Sequence, residues 1–335
     1  MNQKYLIPLI TVFVLFLAAY VGVEGAKLEW FFGIVVPYVS LIAFLVFFVL
    51  KVLGWAKSAV PFKIPTTCGQ QKSLPWIKQN KIDNPDTTGG VVIRMLLEIF
   101  LFRSLFRNTK AAFARNDKNR LSYSWEIFLW VGALAFHYAF LTVLLRHMRF
   151  FMTPVPSCIK WLEWADGIVQ LGLPGLFLSG VVLLAAALFL LARRLFDQKV
   201  NYISLASDYF PLFLIIAIAG TGIAMRYFTK VDIVGIKSFT MGLITLHPVP
   251  PEGVGGLFYA HVFLVSVLFA YFPASKLMHM GGIFLSPTRN MANDTRAQRH
   301  INPWNYDVDT HTYEHYEDHF RDKMIEAGLP VDKKE

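Results

Sequence analysis

Residues 253–282 read GVGGLFYAHVFLVSVLFAYFPASKLMHMGG. The run is long enough to cross a bilayer, since a spanning helix needs about 20 mainly apolar residues. It holds His261 and His279, 18 residues apart. On an unbroken helix that gap is about five whole turns, so both imidazoles leave one face, about 27 Å apart. A second apolar stretch, residues 123–150, reads YSWEIFLWVGALAFHYAFLTVLLRHMRF and holds His137 and His147, about 15 Å apart on the same arithmetic.

The rest of the composition agrees with a membrane protein. The chain has 335 residues, 55% of them hydrophobic, and a mean hydropathy of +0.46. Its apolar residues fall into six blocks of spanning length: 5–23, 31–50, 123–145, 173–192, 209–225 and 254–277. The expected fold is therefore an all-α integral membrane bundle of six transmembrane helices. Residues 1–30 form an N-terminal helix and outer loop. Residues 31–281 form the core, including a connector at 51–122, and 282–335 a polar tail. The first block also has the outline of a signal peptide, but a single charge precedes it and its apolar run is long. A span is the better reading.

The net charge of +9 reads as topology rather than as nucleic-acid binding. Between residues 57 and 120 stand twelve Lys or Arg against four acids. Basic residues also follow the fourth and sixth blocks. With both termini in the cytoplasm of an inner-membrane protein, most of these charges lie inside; Arg226, Lys230 and Lys237 do not. The connector begins without a regular period. Its second half, 90–108, is apolar but interrupted by Arg94, Glu98, Arg103 and Arg107, as expected of a helix at the cytoplasmic interface.

Only Cys68 and Cys158 occur, on opposite sides of the membrane in this topology, and there is no CxxCH. Covalent haem and a cysteine-held iron–sulfur centre are thereby excluded, and any metal chemistry falls to histidine. One histidine in a span is ordinarily a polar group bonded to a neighbouring helix. Four on two spans are costly and point to an interior function. If the third and sixth spans run antiparallel, His137 meets His279 towards the inner side, and His147 meets His261 towards the outer side. Two bis-histidine b haems at different depths follow, and crossed pairing would need an impossible reach for one iron. The fit is imperfect: ten residues fall about 80° short of three full turns. The two separations also differ by about 12 Å, which a kink at Pro273 would help to absorb.

Haems stacked in this way pass electrons across a membrane, and a quinol is the economical donor. Lys160, Glu163 and Asp166 in the outer loop are candidates for a quinol site. Arg146, Arg149, Arg193, Arg194 and Arg226 are candidates for pairing with haem propionates. His247 reads as a loop residue. His311, His315 and His319 recur at i, i+4 and i+8, a spacing that suits zinc, although a solvated acid-rich amphipathic helix explains the row better. No terminal catalytic machinery is evident. A proton-relay transporter remains the rival from another class, without the internal repeats such folds commonly show.

The ten- and eighteen-residue histidine spacings and the segment YFPASKLMH, residues 271–279, resemble the cytochrome b (gamma) subunits of respiratory nitrate reductase over roughly residues 31–281. The resemblance implies five spans and two b haems, on His137 with His279 and His147 with His261. An added first span, the connector with PFKIPTTCGQQKSLPW and the polar tail look more like the DsrM family, the haem b membrane subunits of the sulfate reducers' complex linked to dissimilatory sulfite reduction. That likeness implies menaquinol as donor and a cytoplasmic iron–sulfur partner similar to heterodisulfide reductase. It further implies periplasmic cytochrome c and iron–sulfur subunits and a second membrane subunit. The haem b subunits of nitrate reductase, hydrogenase or formate dehydrogenase type are the nearest alternatives.

Overall fold

The computed structural model describes residues 3–58, 69–114, 120–169, 175–296 and 309–332. Cys68 lies outside them, and Cys158 is a free, exposed thiol. Among the described residues six helices are long and apolar enough to cross a membrane: α1 Gln3–Ala26, α2 Phe31–Ala56, then Ile127–Phe150, Leu178–Phe196, Ala206–Thr229 and Gly256–Ala274. The number matches the six apolar blocks. Exposed Leu, Ile, Val and Phe line these helices because the bilayer, not the protein, is their solvent.

Between α2 and the third span lie α3 Thr88–Leu101 and α4 Arg103–Phe106, in the half of the connector expected to be helical. Thr87 caps α3 by accepting a hydrogen bond from Gly90 N. A two-stranded antiparallel hairpin follows, β1 Thr109–Ala114 with β2 Arg120–Trp125. This corrects the start of the third span. Tyr123 belongs to a strand, and α5 runs Ile127–His147, because Ser122, Ser124 and Glu126 interrupt the apolar run ahead of it.

Past α6 Ser157–Asp166 come α7 Leu178–Phe196, the short α8 Gln198–Ile203 and α9 Ala206–Ala224. The stretch 226–253, between the fifth and sixth apolar blocks, contains a further helix, α10 Ile233–Thr245. Asp232 caps it through Val234 N and Gly235 N. Its Phe239 and Ile236 are buried in one core with Phe32, Phe258 and Tyr259. Thirteen residues are too few to span, so the length argument passed over an apolar cap.

The largest correction concerns the last span. α11 covers only Gly256–Tyr271 and ends in two short 3-10 turns, Phe272–Ala274 and Lys276–Met278. α12 His279–Leu285, α13 Pro287–Asn290 and α14 Tyr313–Glu326 follow. Pro273 has no N–H to give and its ring crowds the preceding turn. Ser275 then takes extended backbone (φ −111°, ψ 174°), and its hydroxyl accepts from Leu277 N at 3.1 Å. His261 and His279 therefore do not share a face of one straight helix.

The N-terminal helix is built into the bundle. α1 packs on α9 and α11, with Ala19 and Leu264 fully buried. Glu24 Oε1 accepts a 2.6 Å hydrogen bond from Gly256 N at the start of α11. α11 also packs on α2 and α9, whereas α5 packs on α7. The two histidine-bearing helices are thus not among the closely packed pairs.

Candidate functional site

His147 is the last residue of α5, and His261 sits in the second turn of α11. Their ring centres are 6.5 Å apart with planes 18° from parallel. Ten residues earlier on α5, His137 meets His279 at the start of α12, with ring centres 5.9 Å apart and planes crossing at 78°. The crossed combinations are not ring contacts. From His261 to Tyr271 is ten residues, about 15 Å, the same rise as between the α5 histidines. The remaining step of eight residues, from Tyr271 to His279, crosses the break at 272–278, which removes the 12 Å mismatch that a straight helix would leave.

Each imidazole is oriented through Nδ1. His137 meets Ala133 O at 2.8 Å, His147 meets Val143 O at 2.7 Å and His279 meets Lys276 O at 2.8 Å. A carbonyl only accepts, so these rings carry their proton on Nδ1 and present an Nε2 lone pair. His261 uses Thr221 Oγ1 at 2.8 Å instead. That hydroxyl reaches back to Ala217 O at 2.8 Å, so its proton is spent there and its oxygen accepts from the ring. Gly222 lies against the same ring; a Cβ there would be 3.5 Å from His261 Cε1. No local pattern in the sequence marks Thr221 as an acceptor for a ring 40 positions away.

The arrangement fits a six-coordinate iron porphyrin. Two imidazoles on opposite faces of one metal, each at about 2 Å, put ring centres about 6 Å apart. With Nδ1 engaged, Nε2 is the nitrogen left free to hold an iron, as is usual where the other ring nitrogen of a metal-bound histidine is hydrogen-bonded. His147 and His279 also keep ring surface that this chain does not cover. Thr221→Val tests the device: it should weaken haem retention at the His147–His261 pair by about 10–100-fold and leave the other pair unchanged. Equal retention at both pairs in a haem-release assay would contradict it.

Lys160 and Glu163 line a cavity of about 350 Å³ with Trp164, Gly167, Gly175, Phe177 and Arg226. Asp166 is elsewhere. It is buried, accepting from Arg146 Nη1 at 2.6 Å, Ser179 N at 2.7 Å and Ser179 Oγ at 2.6 Å. Arg146 and Arg226 stack on the Phe177 ring at 3.3 and 3.8 Å, and Arg226 Nη2 donates to Gly175 O at 3.2 Å. Nε of both guanidiniums is buried without a partner among the described residues. Arg149 is paired with Glu163.

The other two arginines lie towards the His137–His279 pair. Arg193 reaches Glu126 at 3.3 Å, and Arg194 reaches Ser204 at 2.9 Å and Asp208 at 3.7 Å. Asp208 also holds Lys276 at 2.6 Å, the residue whose carbonyl orients His279. His247 is an exposed loop residue bonded to Thr245 O. In the tail, His311 precedes α14, and only His315 and His319 ride on it. Among the described residues no group of three or more His, Cys, Asp and Glu is placed to hold a metal ion.

The profile of the nitrate reductase gamma subunit family matches residues 95–295, which include all four paired histidines. A relative from Archaeoglobus fulgidus, named as an Hdr-like menaquinol oxidoreductase cytochrome b-like subunit, is 45% identical over 82% of this chain and 83% of its own. A protein of the same description from Archaeoglobus profundus is 41% identical over 80% and 81%.

Proposed function

Since the chain belongs to the nitrate reductase gamma subunit family, we propose that it is a membrane cytochrome b subunit with two b haems, taking electrons from menaquinol. His147 and His261 hold the outer haem, His137 and His279 the inner one. The observation that supports this most is the meeting of four imidazoles in two pairs at iron-spanning distance, each with Nδ1 engaged. When bound, the haems supply one-electron steps at two depths of the membrane. Both termini lie in the cytoplasm, where the connector and tail face an iron–sulfur partner similar to heterodisulfide reductase. The names of the two Archaeoglobus relatives favour that partner over a nitrate reductase, hydrogenase or formate dehydrogenase. Periplasmic cytochrome c and iron–sulfur subunits and a second membrane subunit complete the complex, which serves sulfate or sulfite respiration.

Lys160 and Glu163 are the quinol-facing residues. The Lys160 ammonium donates to one ring oxygen, and the Glu163 carboxylate accepts from the other hydroxyl. Full oxidation of menaquinol releases two electrons and two protons, the protons leaving on the outer side. Arg146, Arg149, Arg193, Arg194 and Arg226 balance propionate charge where their present carboxylate partners allow. The helix break at 272–278 resembles the discontinuous helices of transporters. Here it sets His279 opposite His137, which favours electron transfer over transport.

A menaquinol analogue added to the purified chain should reduce its b-type absorption without turnover of a soluble acceptor. Glu163→Gln should slow that reduction at least ten-fold with haem content unchanged. Wild-type reduction rates in this variant would remove Glu163 from the site, and terminal turnover by the single chain would overturn the assignment.

A further inference from the structure

The connector segment 69–87 has almost no regular structure yet is tied down from within. Asn84 and Asn293 are 2% and 3% exposed and bond side chain to side chain at 2.8 Å. Asn293 N donates to Pro85 O, and Gln71 Nε2 donates to Asn293 Oδ1, both at 2.8 Å. The segment is therefore clasped to the stretch following α13. Against this fixed frame Trp76 is 77% exposed and Leu74 51% exposed. They stand among exposed Lys72, Lys78 and Lys81, and a cavity of about 940 Å³ is lined by Lys72, Leu74, Lys78, Lys81 and their neighbours.

Its charges are one-sided. Asp86 pairs with Lys72, Asp83 with Arg103 and Arg107, and Glu98 with Arg289. The Lys72 ammonium, hydrogen-bonded to Asp86, holds that carboxyl below the usual carboxylate range. Lys78 and Lys81 have no acidic partner among the described residues. The patch also has a short path to an imidazole. Asp83 accepts from Arg103 Nε at 2.9 Å, and the adjacent Phe102 sets its ring 5.0 Å from that of His137, edge on. Phe102 holds that place from a left-handed backbone (φ 48°), an uncommon conformation for an aromatic residue.

The geometry points to the Trp76–Lys78–Lys81 surface as the dock for an acid-surfaced soluble electron carrier, seated beside the His137–His279 pair. Exposed tryptophan on a fixed frame is the usual anchor of a protein interface, and unpaired lysines around it select and steer an acidic partner. This assignment rests on the proposed function, because it presumes that electrons leave at that pair.

The test is to purify the tagged chain from its native membranes as wild type and as W76A/K78E/K81E, and to measure co-purified soluble subunit against haem absorbance. The variant should retain at least ten-fold less soluble subunit with an unchanged haem spectrum. Wild-type retention would overturn the dock. Should the triple variant not accumulate, K78A/K81A serves instead, with lower retention at low salt and a shallower fall as salt rises than in the wild type. Quenching of Trp76 fluorescence by brominated lipid in nanodiscs, read as the difference from Trp76→Phe, would assign the patch to the membrane and also overturn it. A wild-type chain that brings down no soluble subunit would instead refute the functional reading itself.

Discussion

Replacing either His147 or His261 with alanine should remove one haem, and replacing either His137 or His279 should remove the other. The expectation follows from the pairing of rings at 6.5 and 5.9 Å, with no ring contact between the two pairs. A bis-histidine iron that loses one imidazole keeps a single protein bond, and that bond with packing alone would have to hold the macrocycle. The reduced b-type absorption should fall to about half in all four variants. In a redox titration, His147→Ala and His261→Ala should lose the same component, and His137→Ala and His279→Ala the remaining one. Loss of one shared component in all four variants would break the pairing. The His279 variant is the most informative, because a straight helix would carry His279 about 12 Å past His137.

Asp166→Asn should be the most damaging substitution away from the histidines. Asp166 gathers three donors in a buried position, and its Arg146 partner has only 14% of its side chain exposed. Asparagine can still accept from Ser179 N, but it leaves a buried guanidinium without its counter-charge. Removing one partner of a buried pair costs on the order of 3 kcal/mol. Because Arg146 neighbours His147 and stacks on Phe177, the loss should reach the His147–His261 pair first. Thermal denaturation of the purified chain should show a clearly lower midpoint. The double variant R146M/D166L should recover much of it, since two apolar side chains leave no buried charge. An unchanged midpoint in Asp166→Asn would mean that the pair contributes nothing.

The spans and the meeting of His137 with His279 and of His147 with His261 were legible in the sequence for a simple reason: apolar length and histidine spacing are local quantities. The number of spans needed only hydropathy, and antiparallel neighbours confine His147 to the end where His261 lies. What resisted reading was set by tertiary contact. Pro273 signalled a kink, but seven residues of lost α-helix depend on Ser275 turning extended and on Lys276 being held by Asp208, 68 positions away. α10 was too short for a rule based on spanning length. Thr221 orients His261 only because α9 and α11 pack side by side. Asp166 looked like an exposed loop acid, and the donors that bury it come from α5 and α7.

The central claim is that this one chain binds two b haems. Pyridine haemochrome absorbance against quantitative amino-acid analysis of the purified chain measures this most directly. Two haems per chain are expected, and a ratio of one or of zero would contradict the account.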